Sequence, residues 1–131
     1  MTSRVRSITF DCADPAAVAA FWAAATGRTV VDDGTAEAPE YLLSDPGDPA
    51  LPNLLFLPVP EGKSVKNRVH LDLQPADRTR DEEVARLLGL GAALLADHRR
   101  PDGTGWALLA DIEGNEFCVE RSAAERAATG G

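Results

Sequence analysis

Two stretches of this chain repeat one pattern, and that repeat constrains the fold more than any other feature. Val5–Asp32 reads VRSITFDCADPAAVAAFWAAATGRTVVD, and Arg68–Asp97 reads RVHLDLQPADRTRDEEVARLLGLGAALLAD. Each is a short apolar strand ending near an aspartate, then an amphipathic helix, then a glycine and an aliphatic or β-branched run. Ser7 aligns with His70 and Asp14 with Asp77. Further on, Tyr41–Asp45 resembles Trp106–Asp111, and Asn53–Leu57 resembles Asn115–Val119. A half-length repeat predicts two copies of one unit about a pseudo-twofold axis, with equivalent residues of both copies facing the cleft between them.

The punctuation supports a βαβββ order in each copy. In the first, a strand over Arg4–Cys12 leads to Asp14-Pro15, an N-cap followed by an N1 proline. Val18, Phe21, Trp22 and Ala25 then fall on one helical stripe, and Gly27 ends the helix. Strands are expected over Thr29–Asp32, Glu40–Ser44 and Asn53–Pro58, with a linker over residues 59–67. In the second copy Thr79 and Glu82 form a capping box, followed by Val84, Leu87, Leu88 and Gly91 on one face. Strands over Ala92–Ala96, Gly105–Ala110 and Glu116–Arg121 complete it. The repeats therefore span 4–58 and 68–121 of a single domain over 1–131, and the tail 122–131 is expected to fray.

The 131 residues suffice for one domain with its own core. The formal charge of −8 argues against nucleic acid or an anionic membrane as partner, and would tolerate a cationic ligand. No apolar run approaches the length of a membrane span, and Cys12 and Cys118 make no disulfide framework. A cytoplasmic location is the expectation.

Ile8–Pro15 with Phe21-Trp22 and Gly27, Arg68–Leu73, Gly105-Trp106 and Ala110–Val119, taken in this order and spacing, resemble the vicinal oxygen chelate superfamily of glyoxalases, bleomycin-resistance proteins and extradiol dioxygenases. The resemblance covers about residues 4–121 and implies an α+β fold, in which two βαβββ repeats form a curved mixed sheet with a concave ligand cleft. It also implies a small-molecule ligand and a homodimer, with the cleft made within one chain or by exchange between chains.

Strand alternation gives the cleft residues independently. Ile8 and Phe10 face the helix, leaving Ser7, Thr9 and Asp11 on the other side. Val69, Leu71 and Leu73 pack inward and leave His70 and Asp72 in the cleft. Leu55 and Leu57 are assigned to the core, with Leu54 and Phe56 to the cleft. Phe117 and Val119 are core, whereas Glu116, Cys118 and Glu120 face the cleft. Ser7, Phe56, His70 and Cys118 thus converge near the pseudo-twofold axis, and the resemblance implies that these are the four positions that carry metal ligands in metal-using relatives. A phenyl ring and a serine hydroxyl are unsuited to that role, and His70 with Cys118 would hold only a soft ion weakly. No metal and no cofactor are expected.

The candidate catalytic residues are His70, Asp72 and Glu120; the candidate ligand contacts are Ser7, Phe56, His70, Trp106, Glu116 and Cys118. Each has a plainer reading: His70 as a hydrogen-bonded cleft histidine, Trp106 and Phe56 as packing, and Cys118 as a small wall residue. His98-Arg-Arg100 reads as a solvated loop, or as a cap on an anionic ligand at the cleft mouth. Three functions follow. The leading one is a metal-independent, glyoxalase-like protein that binds a small oxygen-rich metabolite, with lyase- or isomerase-type proton transfer. The others are a bleomycin-resistance-type protein sequestering a planar cationic drug and a ligand-sensing module. A metal-dependent lyase or dioxygenase is the further alternative.

Overall fold

The computed structural model describes residues 2–129, in two compact units divided between Gly62 and Lys63. The first unit runs β1 (Ser7–Cys12), α1 (Pro15–Thr26), β2 (Thr29–Asp32), β3 (Tyr41–Ser44) and β4 (Asn53–Pro58). Its sheet has the order β1-β4-β3-β2, with β1 parallel to β4 and the other pairs antiparallel. The second unit repeats this as β5 (Leu71–Leu73), α2 (Arg80–Gly89), β6 (Ala93–Asp97), β7 (Ala107–Ala110) and β8 (Glu116–Val119), in the order β5-β8-β7-β6. A short helix, α3 (Ala123–Thr129), follows. The α+β fold of two βαβββ repeats is present, as two four-stranded mixed sheets.

Local chemistry sets the helix ends as expected. The Asp14 side chain accepts from the Ala17 amide at 3.2 Å, and Pro15 fills N1, where no amide is needed. Gly27 closes α1 at φ 74°, a left-handed conformation in which its amide reaches the Ala23 carbonyl. The Thr79–Glu82 capping box opens α2. The α2 stripe differs from the sequence reading: Val84 and Leu87 are buried, Leu88 is exposed, and Arg80 and Glu83 are buried in its place. Arg86 chelates Glu83 at 2.6 and 3.0 Å, so that carboxylate is buried as half of an ion pair.

The core of the first unit corrects the reading of β4. Leu54 and Phe56 are buried, and Phe56 is wholly inaccessible, stacked on Phe10 with centroids 4.9 Å apart; Leu55 and Leu57 are the more open pair. Phe10 also meets Trp22 of α1 at 5.3 Å, so this face of the sheet lies under the helix. The cause is register. Ile8 lies opposite Leu54 in the first unit, and Leu71 opposite Phe117 in the second. The structural equivalent of Phe117 is therefore Leu54, and Phe56 corresponds to the buried Val119. Aligning Asn53 with Asn115 misplaces this strand by one residue, which moves every side chain to the other face.

Two further expectations change. Strand β5 begins at Leu71 and not at Arg68, and Val69 is 77% exposed rather than packed inward. The tail from Ser122 does not fray within the described residues. The Ser122 hydroxyl accepts from the Glu125 amide at 3.1 Å, and Glu125 accepts from the Ser122 amide at 3.0 Å. That is a second capping box, which the alanine-rich composition concealed. Residues 130 and 131 of that tail lie outside the described residues.

Candidate functional site

The second unit contains a cavity of about 530 Å³. Its chemistry starts at the β5–β8 pair. Parallel pairing places Asp72 opposite Cys118. His70 lies just ahead of the strand, two residues before Asp72. His70 Nε2 lies 3.6 Å from Asp72 Oδ1, and donor atoms of His70, Asp72 and Cys118 all fall within 4.8 Å of one another. The imidazole and carboxylate are accessible, whereas Cys118 is 8% exposed. Burial pushes the Cys118 thiol pKa up, and the charge of Asp72 and a hydrogen bond with it add to this. The thiol is thereby kept protonated, which suits a wall residue and not a nucleophile.

Trp106 enters the same cavity from the loop between β6 and β7. That loop is held from beneath by Arg80. Its buried guanidinium donates to the carbonyls of Gly103, Thr104 and Gly105 at 3.3, 3.0 and 3.0 Å. Gly105 sits at φ 89°, and a Cβ there would strike the His98 carbonyl, so only glycine lets the two loop strands approach. The Trp106 ring, 40% exposed, meets the His98 ring at 4.9 Å. The far wall is supplied by Glu120, Arg121 and Arg126, the last two bracketing the α3 start. Glu125 fixes that turn to α2, because its Oε1 accepts from the Arg80 amide at 2.7 Å as well as from Ser122. Burial raises the Glu125 pKa, but these amides outweigh it and hold the carboxyl below its ordinary range.

The residues singled out from sequence divide clearly. His70, Asp72, Glu120, Trp106 and Cys118 all line the cavity. Glu116 does not. Its Oε1 pairs with Lys63 Nζ at 2.9 Å and its Oε2 accepts from the Asn67 amide at 2.9 Å, so it anchors the 63–67 segment. Burial raises its pKa, while the Lys63 ammonium and the Asn67 amide prevail and lower it. Ser7 and Phe56 belong to the first unit, and Phe56 is core rather than a ligand contact. Sequence reasoning missed Lys66, Thr104, Arg121 and Arg126 as lining residues. The basic pair before Pro101 was the one signal of cationic lining, and the structure divides it. Arg99 is locked by Asp97 at 2.8 Å and Asp81 at 3.2 Å, whereas Arg100 lines the cavity.

Metal fit can be judged from the donor set. The expectation counted two donors, His70 and Cys118, and the structure adds Asp72 to them. One nitrogen, one oxygen and one sulfur suit a borderline ion such as zinc better than manganese or magnesium, which prefer oxygen. Binding would first have to remove the thiol proton, against the burial and the neighbouring carboxylate that hold it in place.

Comparison with solved structures places the fold. A fosfomycin resistance protein, FosX, from Mesorhizobium loti superposes with a TM-score of 0.70 at 15% identity, covering 98% of this chain and 99% of that one. A variant of FosX from Listeria monocytogenes, complexed with Mn(II) and a dihydroxypropylphosphonic acid, gives 0.72 at 17% identity over 98% and 99%. A glyoxalase/bleomycin resistance protein/dioxygenase family enzyme from Burkholderia phytofirmans gives 0.64 at 18% over 89% and 97%. No curated protein matches the chain in sequence. No helix among the described residues is long and apolar enough to cross a membrane. The family model of the glyoxalase-like domain matches residues 7–120, and the chain belongs to that family.

Proposed function

We propose that this protein binds a small oxygen-rich molecule in the cavity of its second unit and moves a proton on it, as an isomerase or lyase. The observation that carries the reading is the meeting of His70, just ahead of β5, with Asp72 within it, 3.6 Å apart in the cavity wall. A neutral imidazole takes a proton from a carbon next to a carbonyl, and the electron pair moves onto the carbonyl oxygen as an enolate. Asp72 stabilises the imidazolium that results. With an α-hydroxycarbonyl, passage of the hydroxyl proton to the enolate oxygen and return of the abstracted proton to the former carbonyl carbon complete an isomerisation; departure of a β-substituent with its bonding electrons completes a lyase reaction. Trp106 provides a flat wall for the ligand, and Cys118 a neutral one. The two free cysteines fit a reducing cytoplasm, and the family resemblance extends this reading to a homodimer.

The three-donor cluster favours a second reading, in which His70, Asp72 and Cys118 hold a divalent ion. The ion would supply Lewis-acid polarisation of a substrate oxygen. One experiment separates the two. Small hydroxy- and oxo-carbonyl compounds are incubated in D2O with chelator-treated protein, and deuterium uptake at carbon is followed by NMR. Uptake that His70→Gln abolishes, with melting unchanged, supports metal-independent proton transfer. Uptake seen only after zinc is restored supports the second reading. Uptake indifferent to His70 under both conditions sinks both.

A further inference from the structure

The chain carries a formal charge of −8, yet its cavity is lined by four cations, Lys66, Arg100, Arg121 and Arg126, against two carboxylates, Asp72 and Glu120. Positive charge is gathered here against the sign of the whole molecule. The acidic groups nearby are already engaged. Glu120 faces Arg126 at 3.7 Å, and Asp72 faces His70. Asp102, close in sequence to Arg100, accepts from the Thr104 amide at 3.0 Å and its hydroxyl at 2.6 Å. Lys66 and Arg100, by contrast, are hydrogen-bonded to neutral oxygens: the Asn67 carbonyl at 3.4 Å and the Thr104 hydroxyl at 3.3 Å. Among the described residues neither has a carboxylate within the 4.0 Å of an ion pair.

We infer that the ligand is an organic anion, bearing a carboxylate or phosphonate-type head that Lys66 and Arg100 receive. The inference rests on the proposed role of the cavity and adds its substrate class. Both are cations on accessible side chains lining one cavity, and each can meet an oxyanion without first breaking a salt bridge. Arg100 offers the planar fork that matches a carboxylate or phosphonate, and Lys66 a point charge. Both line the cavity that Trp106 also lines. A head group seated on them leaves the body of a planar ligand to lie along the indole, with its reactive carbon toward His70. A cationic drug would meet like charge at the same place, so the sign of the lining weighs against the sequestering alternative.

The test uses one ring with four heads: benzoate, phenylphosphonate, benzamide and benzylammonium. Binding to the full chain is read from Trp106 emission, with Trp106→Phe to confirm its source; the other tryptophan, Trp22, is 1% exposed and serves as a constant background. Benzoate or phenylphosphonate should bind at least tenfold more tightly than benzamide, with benzylammonium weakest, and the tighter of the two anions identifies the head. Arg100→Gln and Lys66→Gln should each weaken the anion about five- to tenfold at unchanged melting temperature, and leave benzamide unaffected. Binding of both benzoate and phenylphosphonate no tighter than that of benzamide would overturn the anion inference while sparing the cavity as a ligand site. Failure of every probe to perturb Trp106 would overturn both, and so would saturation that survives in all the cavity variants.

Discussion

Arg80 joins the helix that covers the second sheet to the loop that presents Trp106. Its side chain is 5% exposed, and the guanidinium donates to three successive carbonyls. Replacement by methionine keeps most of the buried volume and removes the charge and the donors. A hydrogen bond from a charged group contributes about 1.5–3 kcal/mol, but all three contacts come from Nη1, whose two hydrogens are shared among three acceptors, so the contributions are not additive. Gly103, Thr104 and Gly105 are only partly buried, so their carbonyls regain water when the arginine is lost. The net loss should therefore be about 2–4 kcal/mol rather than the sum of three bonds. Arg80→Lys, with a charge but no fork, should recover part of it. Urea unfolding gives the free energy, and acrylamide quenching of Trp106 reports whether the loop has loosened. If Arg80→Met unfolds within 0.5 kcal/mol of the parent and Trp106 is quenched no faster, the guanidinium does not hold this loop.

Phe56→Ala should destabilise the protein by about 3–5 kcal/mol, because a wholly buried ring stacked on Phe10 is removed. Unchanged urea unfolding with altered ligand affinity would instead return Phe56 to the binding surface. Glu125 has a folded pKa lowered from its ordinary value, so its contribution to stability is present above the unfolded value of about 4.3 and is lost as pH falls through the folded one. Glu125→Gln should thus be less stable than the parent at pH 7, with the gap narrowing as pH falls from the unfolded value of about 4.3 through the folded one; a gap that does not narrow as the pH is lowered in thermal melts would refute the assignment.

The sequence was most legible where a single local interaction decides the structure. Asp14-Pro15, Gly27 and the Thr79–Glu82 box each work within one helical turn, and each stands in the structure as it was read. Ser122 and Glu125 have the same spacing and the same chemistry, and were lost only because the alanines between and after them carry no apolar stripe. Arg80 and Glu83 were illegible for a different reason. Their burial depends on acceptors more than twenty residues away for Arg80, and on a closed ion pair for Glu83, neither of which periodicity records. Strand parity lay between these cases. The faces of β1 and β8 were assigned correctly, but β4 was aligned on the shared asparagines, and one residue of slip sent Phe56 to the ligand face.

That slip bears on the chemistry as well as on the fold. Cys118 corresponds through the strand register to Leu55, not to Phe56, just as His70 corresponds to Ser7. The second repeat therefore holds an imidazole and a thiol where the first holds a hydroxyl and an aliphatic chain. Asp72 has its equivalent in Thr9, so the carboxylate beside the imidazole also belongs to the second copy alone. At these three positions the second copy is titratable where the first is weakly polar or apolar. The cations follow the same division: Lys66, Arg100, Arg121 and Arg126 all lie in the second unit. A pseudo-symmetric fold would permit a pair of equivalent half-sites. The groups that line the cavity instead all belong to the second unit, whereas the first repeat has a core built around Phe10, Trp22 and Phe56.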